Sequence, residues 1–359
     1  MEGEFELIAA LRQRLEGHGN LEGVIGGIGD DAAVLGFDDL DSPRLLATVD
    51  LLAEGIHFDR SYTDGSELGE KALVVNLSDI AAMGGTARYA LVSLAIPPGF
   101  PREYLEEIYE GLARAGDLYG TAVVGGNVSS SRGQLMVDVA VMGEVRRPVY
   151  RSGARPGDVV AVSGSLGAAA SGLRWLSCRE QLDGTGAIDQ HVRRCLRAHK
   201  SPIPRLELGG LLGETGATSM IDISDGLASE VNHLAEESLA TMAIFASAIP
   251  IDESAAAVAA RLRLDPLDLA LFGGEDYELL FTIPPALWDE VEASTRGIGT
   301  KITPIGRVYT GDRAAAYLEA GGESELNPSI QLADYRWTGQ GPGDWTTLRP
   351  GGWNHLKNT

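Results

Sequence analysis

The stretch Ile25-Gly26-Gly27-Ile28-Gly29-Asp30-Asp31-Ala32-Ala33-Val34 sets two adjacent acids between a glycine-rich apolar segment and a run that reads as a strand. A carboxylate enclosed by apolar chain needs a cation, a metal or hydrogen bonds to satisfy it. The pattern recurs: Asp50, Asp79, Asp222, Asp225 and Glu275-Asp276 each stand beside an apolar or glycine-rich run. The acids read as groups carried to one place by a mixture of strands and helices, an α+β or α/β layer design.

Working outward, residues 4 to 16 form a short helix with Leu7, Ile8, Leu11 and Leu15 on one face. A strand covers Ala32 to Leu35, and a second, Leu45 to Asp50, ends in an acid. Ser66 can cap a helix that runs to Met83 and stops at Gly84-Gly85. Asn76 and Asp79 share a face of that helix among apolar neighbours, which favours a buried role for Asp79. Tyr89 to Ile96, Thr121 to Val124 and Leu135 to Gly143 read as strands, the second running into Gly125 to Ser131, and residues 101 to 119 read as a helix. A turn-rich, locally basic boundary follows, dividing the chain into residues 1–148 and 149–359.

In the second part a strand from Asp158 to Ser163 meets Gly164-Ser165-Leu166-Gly167. The Gly-x-Gly-x-x-Gly spacing of a dinucleotide loop is missing, so this reads as an ordinary strand-to-helix turn. Residues 184 to 192 read as loop and 203 to 213 as helix. A strand from Thr218 to Ile223 carries Asp222, and Ser224-Asp225-Gly226 opens a helix from Leu227 to Glu237. A helix cap needs one acid; two on the same turn suggest a further role. A single helix over 254 to 271, a strand from Glu278 to Ile283, a helix over 286 to 296, and strands near 301 to 309 and 314 to 318 complete the expectation.

The 359 residues suggest two domains with ample core. Fifty-one acids against 29 bases give a net charge of −22, a field that repels nucleic acid and anionic membranes. A phosphorylated substrate would be repelled too, unless cations are recruited. No uncharged apolar run reaches ~18 residues, so no membrane span is expected. Cys178 and Cys195 have no zinc or redox spacing, and the acidic N-terminus is not a signal peptide; both fit a cytoplasmic protein.

Carboxylates without histidine–cysteine clusters point to a hard cation, Mg²⁺, which commonly bridges substrate phosphates. No phosphate loop of the usual kind is present. Gly65-Ser66-Glu67-Leu68-Gly69-Glu70-Lys71-Ala72 has the wrong glycine spacing and lacks a hydroxyl residue after the lysine. Calcium binding and purely structural acids remain open on the residues alone.

Long ordered blocks then carry a resemblance. They are Gly3-Glu4-Phe5; Gly29-Asp30-Asp31-Ala32-Ala33; Asp50 with Glu54-Gly55-Ile56-His57-Phe58; Lys71 to Gly84; Arg151 to Asp158; Ile221 to Leu227; Gly273 to Leu279; and Gly352-Trp353-Asn354-His355. Together they resemble the thiamine-monophosphate kinase family, within the aminoimidazole-ribonucleotide synthetase superfamily. The resemblance implies ATP-dependent phosphorylation of thiamine monophosphate, and an N-terminal mixed-sheet domain that pairs in a homodimer beside an α/β C-terminal domain. It further implies magnesium ligands at Asp31, Thr48, Asp50, Asp79, Asp222 and Asp225, ATP contacts at Gly126, Arg151 and Ser224, and thiamine monophosphate contacts at His57, Glu275 and Trp353. Asp30 is then left to shape its turn.

Where the family has Gly-Gly-Asp-Thr this chain has Gly125-Gly126-Asn127-Val128. Asn127 keeps an oxygen for metal and nucleotide but loses a charge. Two other readings stand beside the kinase. One is another ATP-using superfamily member, acting on a purine intermediate, selenide or a carbamoyl group. The other is a nucleotide-binding protein with reduced catalysis.

Overall fold

A computed structural model of the chain describes residues 4–15, 23–36, 42–178, 188–310, 315–319 and 345–349. The chain divides into two compact units. Among the described residues, one comprises those up to Ile80 with Gly85–Arg146; the other comprises Ala81–Gly84 and those from Arg147 to Arg349.

The first unit is built on six strands: β1 (Val24–Gly26), β2 (Ala33–Leu35), β3 (Arg44–Ala53), β4 (Thr86–Ile96), β5 (Ala122–Ser130) and β6 (Met136–Val145). Their order is β1-β2-β3-β6-β4-β5, and all neighbours are antiparallel except β4 and β5. That parallel pair is joined by helix α3 (Arg102–Tyr119), as a parallel connection requires. The other helices are α1 (Glu4–Leu15) and α2 (Gly65–Ala82). Alternation divides the sheet: Leu46, Val92, Val137, Val139 and Val141 are fully enclosed. The opposite face carries Val49, Leu51, Tyr89, Leu91 and Val124, each at least 40% exposed.

Glycines let α2 and α3 touch backbone to backbone. A Cβ on Gly69 would stand 1.9 Å from the Ile108 carbonyl oxygen, and one on Gly111 would stand 2.0 Å from that of Ser66. The start of α2 differs from expectation. Asp64, not Ser66, accepts the Glu67 N–H at 2.8 Å, and the Glu67 carboxylate accepts the Asp64 N–H at 3.2 Å. This reciprocal capping box satisfies two end donors at once, which a lone serine does not. Nor does the strand end at Val124, before the segment Gly125 to Ser130. The segment pairs in parallel with β4 from Leu91↔Gly125 to Ile96↔Ser130, so tertiary pairing overrides the poor strand propensity of its glycines.

The second unit carries a seven-stranded sheet in the order β13-β12-β9-β11-β7-β10-β8. Its strands are β7 (Val159–Ser163), β8 (Ser219–Asp222), β9 (Thr241–Phe245), β10 (Leu279–Ile283), β11 (Ile302–Tyr309), β12 (Ala315–Glu319) and β13 (Trp345–Thr347). Its helices are α4 (Ala168–Cys178), α5 (Gln190–Lys200), α6 (Leu206–Thr215), α7 (Leu227–Glu237), α8 (Glu253–Leu262), α9 (Pro266–Phe272) and α10 (Trp288–Ile298). Val160 and Val162 of β7 pack with Leu227 and Val231 of α7, while Val159 and Ala161 pack with Leu208 of α6 and Trp288 of α10. Helices thus cover both faces, which explains why β7, β9 and β10 are apolar without alternation.

Three differences arise here. Helix α5 and strand β9 were not foreseen. The arginine-rich α5 hides its apolar stripe, yet Val192, Cys195 and His199 are all buried. The expected helix over 254 to 271 is two helices, α8 and α9. Arg263 turns left-handed at φ 59° and Pro266 opens the second helix, as a proline at the first turn does. Among the described residues no helix is long and apolar enough to cross a membrane.

Candidate active site

In the first unit the acids converge from three elements. Asp31, just before β2, is 8% exposed; Asp50 lies within β3; Asp79 lies in the last turn of α2. Carboxylate oxygens of Asp31 and Asp79 lie within 4.8 Å of each other, and Thr48 Oγ1 donates to Asp79 Oδ2 at 2.5 Å. Burial pushes the Asp50 carboxyl up to about 6, and the carboxylates of Asp138 and Asp31 push it the same way. Crowded carboxylates of this kind lack only a cation to balance them, and an all-oxygen donor set suits a hard one.

Asp138 was not singled out from sequence. It stands alone between Val137 and Val139, and only the register reveals its neighbours: it pairs with Leu51 on one side and Ser93 on the other. Ser93 in turn pairs with Asn127. Opposed residues of a ladder share a face, so Asn127 and Asp138 belong to the exposed face with Leu51. Burial raises the Asp138 carboxyl above its ordinary range.

His57 sits in the turn after β3. Its Nδ1 accepts the Ala53 N–H at 3.0 Å, which leaves Nε2 to carry the ring proton as a donor. The buried Lys71 donates Nζ to the His57 carbonyl at 3.3 Å and ties that turn to α2. A cavity of ≈ 670 Å³ lies between α3 and β5, lined by Tyr109, Leu112, Gly125, Gly126 and Asn127 among others. Tyr109, another residue not singled out from sequence, is 41% exposed.

In the second unit Asp222 ends β8 at 3% exposure, and Ser224 and Asp225 lie half-buried in the turn before α7. Gly226 takes φ 109°, the conformation that lets the chain enter the helix there. Glu230 on α7 is buried and accepts the Asp225 N–H at 3.1 Å. Burial drives its carboxyl well above the ordinary range; Asp225 and Asp222 push the same way, and Arg151 opposes them. Burial, then Arg151, lowers His233 to about 4. Arg151, Asp222, Asp225 and Glu230 therefore feel one another's charge. The Arg151 backbone is held by its carbonyl, which accepts from Ser238 Oγ at 3.2 Å.

Glu275 lies in the loop between α9 and β10, at φ 61°. Its N–H donates to the Ser224 carbonyl at 2.7 Å, and its Oε2 lies 2.6 Å from His199 Nδ1. Asp276, grouped with the other acids in sequence, accepts the Gly167 N–H with both oxygens and so serves the entry to α4. Trp353 lies outside the described residues.

Residues 29–145 match the family model of the AIR synthase related protein N-terminal domain, and residues 155–319 that of its C-terminal domain. The thiamine-monophosphate kinase of Bacillus subtilis is 35% identical over 309 residues, 85% of this chain and 91% of that one. That of Aquifex aeolicus is 36% identical over 310 residues, 86% and 92%. A solved structure described as AaThiL complexed with AMPPCP and TMP superposes with a TM-score of 0.78 at 33% identity, covering 98% of this chain and 97% of the other.

Proposed function

The chain belongs to the AIR synthase related family as a thiamine-monophosphate kinase, and from this premise we infer that it transfers the terminal phosphoryl group of ATP to thiamine monophosphate, forming ADP and thiamine diphosphate. The observation that carries the site reading is the convergence of Asp31, Thr48, Asp50 and Asp79 in the first unit, with Asp50 crowded by other carboxylates.

The nucleophile is a phosphate oxygen of the acceptor. A phosphomonoester loses its second proton near pH ~6, so it is already mostly dianionic at neutral pH and no general base is needed. Catalysis then rests on alignment and charge neutralisation. Asp31, Thr48, Asp50, Asp79, Asp222 and Asp225 would hold magnesium, with Asn127 as a neutral ligand. When bound, the magnesium supplies the positive charge that lets two polyanions approach. Arg151 adds a fixed charge for ATP beside Ser224, and Gly126 and Asn127 line the cavity in which Tyr109 offers a face for a base. His57 presents its Nε2 proton to thiamine monophosphate, Glu275 faces the cationic or amino-bearing ring, and Trp353 stacks on it. In this proposal residues 1–148 carry metal and nucleotide roles, and residues 149–359 supply further acids and acceptor contacts. A cytoplasmic setting, where ATP is supplied, fits the free thiols of Cys178 and Cys195.

Incubation with Mg-ATP and thiamine monophosphate should yield ADP and thiamine diphosphate in equal amounts. Absence of both from folded protein in millimolar Mg²⁺ would overturn the assignment. The working unit is proposed to be a homodimer, because the exposed sheet face with Val49, Leu51, Tyr89, Leu91 and Val124 is an apolar surface of the kind that marks an interface. Leu91→Lys with Val124→Asp should convert a dimer to a monomer in sedimentation equilibrium. An unchanged mass would move the interface elsewhere.

A further inference from the structure

The loop between α9 and β10 holds Glu275 by means beyond its own sequence. Two non-glycine positions of the loop, Glu275 at φ 61° and Tyr277 at φ 49°, adopt the left-handed conformation that side chains disfavour. Such backbone persists only where its surroundings over-determine it. Two kinds of contact do so here. The Glu275 N–H donates to the Ser224 carbonyl, and the Tyr277 N–H donates to that of Ile223 at 2.9 Å, so the loop is laced to the turn between Asp222 and Asp225. On the other side, residues 199–205 supply two partners for its carboxylates: His199 against Glu275, and the Arg205 guanidinium against Glu278.

His199 is 3% exposed, while the Glu275 side chain is 22% exposed, so one end of the pair is enclosed and the other is open. His199 Nδ1 and Glu275 Oε2 stand 2.6 Å apart, so the ring nitrogen faces that carboxylate oxygen directly. We propose that His199, a residue of α5 remote in sequence, is a positioning residue for acceptor recognition: it fixes one oxygen of Glu275 so that the other is aimed at the cationic, amino-bearing heterocycle of thiamine monophosphate. The inference rests on the acceptor role given to Glu275 above. It goes further by assigning specificity to a residue that touches no substrate. It also separates acceptor recognition from ATP binding at the side-chain level, since Glu275 meets Ser224 through its backbone N–H and meets His199 through its carboxylate.

The test uses the full-length protein with steady-state kinetics in both substrates. His199→Ala should raise KM for thiamine monophosphate about tenfold, the worth of one charge-assisted contact, with KM for ATP unchanged within twofold. His199→Asn, whose amide nitrogen falls near the Nδ1 position, should recover most of that loss. His199→Gln, which reaches toward the Nε2 position, should not. In a Glu275→Gln background the His199→Ala effect should shrink to less than threefold, because its target is gone. Unchanged acceptor KM in His199→Ala would overturn the inference, as would a parallel rise in both KM values. If the alanine variant does not fold, the Asn–Gln pair decides, and equal acceptor KM values in the two would overturn it. The wild-type control separates the premise: an inactive wild type removes the kinase reading itself, whereas an active wild type with insensitive variants removes only His199.

Discussion

Asp50→Asn should abolish turnover and, in the same molecule, raise the thermal midpoint of the metal-free protein at pH 7.5. The opposition follows from one cause. Asp50 is held beside Asp138 and Asp31, and burial together with those charges raises its carboxyl from 3.8 to about 6. A carboxyl whose folded pKa lies above its unfolded value stabilises the fold in its protonated form. That contribution is whole below about pH 4 and is lost as pH rises through about 6. At pH 7.5 the metal-free wild type therefore carries an ionised Asp50 at a cost of about 1–3 kcal/mol. Asparagine removes the charge and keeps the shape, so the variant should melt several degrees higher, with the difference vanishing toward pH 4. Millimolar Mg²⁺ should reverse the order, because a ligand that binds only the folded state stabilises the wild type selectively. Turnover should fall at least about 10³-fold, the scale of losing a metal-held charge at a phosphoryl centre. Near-normal activity would remove Asp50 from the site. A lower metal-free midpoint at pH 7.5 would deny the crowding.

What could be read from the chain, and what could not, divides along physical lines. Helix α2 was legible because an apolar run with a glycine stop needs no partner to declare itself; only its cap was misassigned. Strand β8, its Asp222, and the Ser224-Asp225-Gly226 entry to α7 were legible because turn chemistry is local. Asp138 was not, since a single acid in a valine strand acquires meaning only when β3 and β4 flank it in register. Glu230 lies inside a helix and looks like a solvated residue until burial and the Asp225 N–H reveal it. His199 was hidden twice, by sitting in an unforeseen helix and by meeting a partner 76 positions away in the chain. In each of these cases the missing information is a long-range contact. The family resemblance pointed to Thr48 as a proposed ligand, and its hydroxyl against Asp79 is a contact no spacing rule would have found.

The largest stability loss should come from Glu278→Ala, just after the loop that carries Glu275. The Glu278 carboxylate accepts from Arg205 Nε at 2.7 Å, from the Arg205 Nη2 and from Ser163 Oγ at 2.5 Å, and its side chain is 6% exposed. Its carbonyl accepts the Ile223 N–H at 2.8 Å, so the same residue ties β10 to the segment after Asp222. Removing the carboxylate strands a guanidinium that was desolvated to meet it. Breaking a buried pair on one side costs about 3–5 kcal/mol, and the 24% exposure of the Arg205 side chain argues for the lower end. Replacing both partners with apolar residues, Arg205→Met with Glu278→Leu, should cost distinctly less, because no charge is then left behind. Urea unfolding of the intact chain reads the difference. The single variant should also raise KM for thiamine monophosphate more than KM for ATP, because the loop bearing Glu275 loses its anchor at the β10 end. Equal costs for the single and double variants would mean that Glu278 holds the loop by packing and not by charge.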